Sequence, residues 1–228
     1  MSHTVSMVGV ADIGRDPPTR PACTVAIMTA IVPLNDPITA AVHTLSGERW
    51  AITAAGGHVP ARPGLYAIYG DDRAWAELAL EAAPGRPLYV GKAEDSLVSR
   101  DLNGHFATNP RSKPQTGSST VRRSFAALLR ASLQLEAVPR NLANPERFAN
   151  YALAPGGDER LTLWMHMRLT LAVWPVPACM PVPLKEVETA VIEHLTPPLN
   201  IDKNPRHLAR LSRARAEMAA EALRWRPT

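Results

Sequence analysis

Gly64-Leu65-Tyr66-Ala67-Ile68-Tyr69 and, further along, Pro87-Leu88-Tyr89-Val90-Gly91 are the stretches whose reading decides the fold. Each is a short apolar and aromatic run bounded by turn residues, the pattern of a strand. In the first, the period of two puts Leu65, Ala67 and Tyr69 on one face and Tyr66 and Ile68 on the other. Between the runs, Ala74 to Ala83 reads as a short helix closed by the Pro84-Gly85 turn. A hairpin-like pair of such strands brings Tyr66 and Tyr89 near each other on one sheet face.

Upstream, Asp36-Pro37 opens a helix to about Leu45, with aspartate as N-cap and proline at the first helical position. Trp50 to Thr53 reads as a short strand, and the segment from Gly56 to Pro63 as a loop. Downstream, Ser96 to Phe106 reads as a helix carrying Arg100 and His105 about a turn and a half apart. Ser119 to Leu135 reads as an amphipathic helix with Phe125, Leu128, Leu129 and Leu133 inward. Asn141 to Gly157 is a linker, and Asp158 caps a helix through about Met167. Leu169 to Trp174 is the third strand of the core. Leu184 to Leu195 is a helix carrying Glu188, and His207 to Trp225 a basic, alanine-rich helix.

Composition fits a soluble globular chain. The 228 residues are 46% hydrophobic and 20% charged, enough for one sizeable domain with appendages. Net charge is +4 and the isoelectric point about 9.4, which favours a polyanionic partner only mildly. Cys23 and Cys179 are far apart and show no metal-ligand pairing, so a reduced, cytoplasmic protein is expected and a cysteine-rich zinc module is excluded. No stretch is long and apolar enough to cross a membrane; Ala22 to Leu34 is too short. Residues 1–35 read as a poorly ordered leader, and Met28 is an alternative translation start.

From Leu102 to Leu135 there is no acidic residue, whereas Arg111, Lys113, Arg122, Arg123 and Arg130 are basic. Such a stretch is the candidate for holding a nucleic-acid backbone, because phosphate contacts dominate nonspecific affinity. An ordinary solvated helix face beside a loop is the competing reading.

The two strand runs resemble the paired tripeptides of the GIY-YIG nuclease superfamily. An arginine, Arg100, follows the second run, and Glu188 precedes the Thr196-Pro-Pro-Leu-Asn200 ending, in the order that family shows. Leu65 and Val90 stand where the family has isoleucines, a change between apolar strand residues. The interval from Arg100 to Glu188 is longer than a minimal catalytic module needs and must hold an insertion, placed at about 107–157 within a domain spanning 36–204. Residues 205–228 form the C-terminal helix.

The resemblance implies an α+β fold with a small, mostly antiparallel three-stranded sheet flanked by helices. It also implies a metal-dependent endonuclease, closest in style to stand-alone, restriction-like members, with DNA as partner and Mg2+ or Mn2+ as cofactor. Tyr66 would orient or deprotonate the attacking water, with Lys92 and Arg100 supplying a field that favours its phenolate. Arg100 would clamp the phosphate, and Tyr89 would position water or phosphate. Glu188 would be the metal ligand. His105 is similar to a histidine that follows the arginine in some restriction-enzyme branches. Asn200 would bond local backbone at the edge of the site, and Gly64 and Gly91 would support the paired motifs. Alternatives are an inactive nucleic-acid-binding protein of the same fold, or a nuclease for RNA or branched DNA. A homodimer is one of two routes to cutting both strands, the other being two sequential events.

Overall fold

The computed structural model describes residues 36–108, 115–144 and 150–226, all within one compact unit, Pro33–Thr228. The leader, Arg111 and Lys113 lie outside the described residues.

The centre is a four-stranded antiparallel sheet made of β1 (Trp50–Ala51), β2 (Gly64–Gly70), β3 (Tyr89–Ala93) and β6 (Leu169–Pro175), in the order β1-β6-β2-β3. The third core strand expected from Leu169 is therefore β6, and β1 adds a two-residue fourth strand at the far edge. In β2 the residues alternate between two clusters. Leu65, Ala67 and Tyr69 join Val90, Ala172 and Trp174 under α1 (Pro37–Ser46) and α5 (Leu184–Leu195). Tyr66 and Ile68 face the opposite core with Leu88, Leu97, Phe106 and Leu171. Being covered on both faces explains why β2 is apolar throughout rather than alternately polar.

Local chemistry sets the helix ends. Asp36 accepts the amide of Ile38 (3.2 Å) with Pro37 next to it, which starts α1. Asp71 accepts the amide of Ala74 (2.7 Å) to start α2 (Asp72–Glu77). That helix stops earlier than the expected Ala83, because Ala79 turns to a positive φ of 50°.

The long interval between the site residues holds α3 (Thr120–Leu128), a separate two-stranded ribbon of β4 (Ala137–Pro139) and β5 (Tyr151–Leu153), and α4 (Gly157–Arg168). The expected helix to Leu135 thus ends at Leu128 and continues as turns, and the expected linker contains β5. At the head of α4, Gly156 takes the capping place with φ 80°. Asp158, expected as the cap, instead accepts from Thr116 N (3.0 Å), Thr116 Oγ1 (2.6 Å) and Arg122 (2.9 Å). The last helix, α6 (Ala209–Arg224), packs on α3 and the ribbon. Among the described residues no helix is long and apolar enough to cross a membrane.

Candidate active site

The site is built where β2, β3, a π-type helix over Val98–His105 and α5 meet. Tyr66 leaves β2 opposite Gly91 of β3, and its ring lies directly over that glycine. A Cβ at position 91 would collide with the Tyr66 hydroxyl and would stand 2.9 Å from Tyr89 Cε1. Gly64 is constrained likewise: a Cβ there would meet Trp174 O at 2.5 Å and Leu97 Cδ1 at 2.7 Å. The glycines of the two runs are thus required by close approach, one to a site tyrosine and one to the neighbouring strand. Gly91→Ala should displace Tyr66 and lower stability by about 1–3 kcal/mol, the usual consequence of overpacking. An unchanged urea midpoint in that variant would contradict the packing.

Tyr66, Tyr89, Lys92, Arg100 and Glu188 line one open cleft of about 520 Å³, together with Ala93, Glu94, Asp95, Ser96 and Ser99. Five residues apart on an α-helix, Arg100 and His105 would point about 140° from each other. The helix here is wound more loosely, with Phe106 N donating to Asp101 O over five residues (2.9 Å). This π turn carries His105 round beneath Arg100. His105 Nε2 lies 2.9 Å from the Tyr66 hydroxyl and Nδ1 lies 2.7 Å from Ser119 Oγ.

The protons in this chain follow from the partners available. Arg100 beside Tyr66 is only a donor, so among the described residues His105 Nε2 is the acceptor for the Tyr66 O–H. Nδ1–H then donates to Ser119 Oγ, which also accepts Arg122 N–H (3.2 Å) as the cap of α3.

Burial dominates the electrostatics. It raises Tyr66 well above the ordinary tyrosine range, helped by Tyr89 and Asp101, and Arg100 only partly opposes it. The expectation that cations favour a resting phenolate is therefore corrected: Tyr66 is held protonated. Tyr89 is pushed up to about 12 by burial and by Glu188. Burial, with Arg100 and Arg122, lowers His105 from 6.5 to about 3, so the ring is neutral.

Folding therefore excludes a proton that the unfolded chain takes up below its ordinary histidine pKa. Stability from His105 is complete above about pH 6.5 and declines as pH falls toward 3, by at most about 1.4 kcal/mol per pH unit. Urea midpoints measured between pH 7 and 4 should fall more steeply for the native protein than for His105→Gln. Parallel slopes would contradict the assignment.

Glu188 is nearly buried and pairs with Lys203. Lys92 lines the cleft and pairs with Glu94. Asn200 closes a clasp on the sheet edge: its Oδ1 accepts Val90 N (2.9 Å) and its Nδ2 donates to Val90 O (2.8 Å). Leu199 N adds a bond to Leu88 O (3.0 Å). Since β3 is an edge strand, this tail segment satisfies the outward-facing backbone groups and fixes the strand bearing Tyr89. The tail reaches it because Thr196 ends α5 in the left-handed region (φ 44°), where Arg86 Nε holds its carbonyl at 2.9 Å. Neither Thr196 nor Arg86 carries a sequence signal for this role.

Within the expected backbone-binding stretch, the reading of Arg122 and Arg123 is corrected by the structure, while Arg111 and Lys113 lie outside the described residues. Arg122 is fully buried, donating to His105 O (2.9 Å), Asp158 O (3.0 Å) and Thr162 Oγ1 (3.0 Å) besides its ion pair with Asp158. Arg123 is also buried, donating to Gly117 O (2.9 Å) and Thr120 Oγ1 (3.2 Å). Arg130 is exposed but pairs with Glu221 at 2.6 Å. Arg122 and Arg123 hold the scaffold behind the site, because a guanidinium buried among interior acceptors cannot also reach a phosphate. Asp101, which the sequence did not single out, is wholly buried with neither carboxylate oxygen hydrogen-bonded among the described residues; burial raises its pKa well above the usual range.

No curated protein and no solved structure matches this chain. A family model described as the GIY-YIG catalytic domain matches residues 77–217. The match begins inside α2 and takes in Tyr89, Arg100, His105, Glu188 and Asn200. Tyr66 lies before it, and its place in the site rests on β2–β3 register and on the bond to His105. With more than half of its length matched, and Tyr66, Tyr89, Arg100 and Glu188 gathered in one cleft, the chain belongs to the GIY-YIG family of nuclease domains.

Proposed function

We propose that this protein is an endonuclease that hydrolyses phosphodiester bonds in DNA with a divalent metal. The observation that carries the reading is the convergence of Tyr66, Arg100 and Glu188 on one cleft, with Tyr66 hydrogen-bonded to a neutral histidine.

The catalytic cycle follows from those contacts. Arg100 clamps the scissile phosphate with its permanently charged fork. Water enters beside the Tyr66 oxygen and gives up a proton to it as Tyr66 passes its own proton to His105 Nε2. Neutralising Arg100 with a phosphate removes one of the three influences that keep His105 neutral, so substrate binding raises its readiness to accept. Tyr89, protonated, donates a hydrogen bond within the cleft. Glu188 suits a hard cation: one carboxylate, with water and phosphate oxygens completing the shell, is a common way of holding Mg2+. A metal so bound would neutralise phosphoryl charge and ease departure of the leaving oxygen.

Among the described residues no three His, Cys, Asp or Glu side chains form a metal cage. Metal affinity should therefore be weak in the free protein and rise when nucleic acid is present. Calorimetric titration of Mg2+ with and without a non-cleavable oligonucleotide tests this. Tight binding without nucleic acid, or unchanged binding in Glu188→Ala, would contradict it. Parallel incubation of a supercoiled plasmid and a folded RNA with protein and Mg2+ tests the substrate class. Nicking of the plasmid is the expected result, and cleavage confined to RNA would refute the DNA assignment.

A further inference from the structure

Beyond the cleft, three guanidinium groups gather around Gly117 and Tyr151. Arg123 donates to Gly117 O (2.9 Å), and the stem of Arg140 lies over the same glycine, with Cγ 2.9 Å from where a Cβ would be. Arg215 of α6 lies against the Tyr151 hydroxyl, which itself donates to Arg123 O (2.8 Å). Among the described residues none of the three forms an ion pair with a carboxylate. Arg123 Nε, moreover, is buried without a hydrogen-bond partner there. Arg123 is held so close to Arg215 and Arg140 that both add to burial in disfavouring its charge. Three like charges held together, with no carboxylate partner among the described residues, call for an anion.

Arg215 acts electrostatically on Tyr89 of the cleft, as Arg100 does. Arg140 is exposed and Arg215 half-buried, so both can reach a ligand, whereas Arg123 contributes charge from behind them.

We propose that Arg140 and Arg215 form a second phosphate site that holds the nucleic-acid backbone beyond the scissile group. It takes the place of the backbone contact expected from Arg122 and Arg123. The inference rests on the nucleic-acid reading of the cleft, and it makes the C-terminal helix part of substrate binding. Arg140 and Arg215 are positioning residues: they touch a flanking phosphate and leave the reacting atoms alone.

The test is fluorescence anisotropy of a labelled DNA duplex in EDTA over a range of salt, for native protein, Arg140→Gln, Arg215→Gln and Arg213→Gln. Arg213 is exposed and about 200° round the same helix from Arg215. Arg140→Gln and Arg215→Gln should each weaken binding and reduce the slope of log K against log salt by about one. Arg213→Gln should leave the slope unchanged. In cleavage assays with metal restored, the first two should raise KM and spare kcat. An unchanged slope in folded Arg140→Gln would overturn the proposal, and that exposed position decides the matter if Arg215→Gln fails to fold. Native protein that bound neither DNA nor RNA would overturn the functional reading as well; normal native binding with unaltered variants would overturn this inference alone.

Discussion

Tyr66→Phe lowers the rate of phosphodiester cleavage by about 10²–10⁴-fold, the range for removing a proton-transfer group, and leaves fold and DNA affinity close to native. The ring remains, so packing over Gly91 and against the core persists. What disappears is the oxygen proposed to receive the proton of water, together with its 2.9 Å bond to His105. His105→Gln should be less damaging than Tyr66→Phe, because Tyr66 can still orient water when its own acceptor is changed. Single-turnover kinetics at saturating enzyme separates the chemical step from binding. A Tyr66→Phe enzyme with native single-turnover rates would remove Tyr66 from the chemistry and leave it a packing residue of β2.

Arg122→Leu destabilises the protein by about 3–5 kcal/mol, the usual consequence of stripping one partner from a buried charge pair. It abandons Asp158 and also the carbonyls of His105 and Asp158 and the Thr162 hydroxyl. At this chain length that is a fall of roughly 10 °C in Tm. Because His105 O is among the orphaned groups, activity of the folded fraction should fall as well. Replacing Asp158 together with Arg122 by apolar residues should recover part of the lost stability, since the pair then leaves no uncompensated charge. Calorimetry of the single and double variants decides. An Arg122→Leu protein of native stability but weakened DNA affinity would restore the reading of Arg122 as a phosphate contact.

The sheet and its tyrosines were legible because short-range chemistry determines them. The short apolar and aromatic run of β2 and the Asp36-Pro37 cap of α1 each declare themselves within a few residues. The order of Tyr66, Tyr89, Arg100 and Glu188 was legible through the resemblance, and the structure brings all four to one cleft. What escaped the sequence depends on partners far along the chain. Arg122 reads as a surface cation until Asp158, thirty-six residues on, is seen beside it. The ribbon of β4 and β5 has strands of three residues each, too short to show a period. The π turn departs from the 3.6-residue repeat on which helix reading relies, so the approach of His105 to Tyr66 does not follow from the spacing to Arg100. Arg140 and Arg215 sit in the ribbon's turn and in a helix rich in arginine, and only the tertiary fold sets them beside Arg123.

Cleavage of supercoiled plasmid by native protein, Tyr66→Phe and Glu188→Ala, each with Mg2+ and with EDTA, tests the central claim most directly. Nicked or linear product should form with native protein and metal, vanish with EDTA, and be lost in both variants while they remain folded and bind DNA. Equal cleavage by all three proteins would contradict the assignment of this cleft as the catalytic centre.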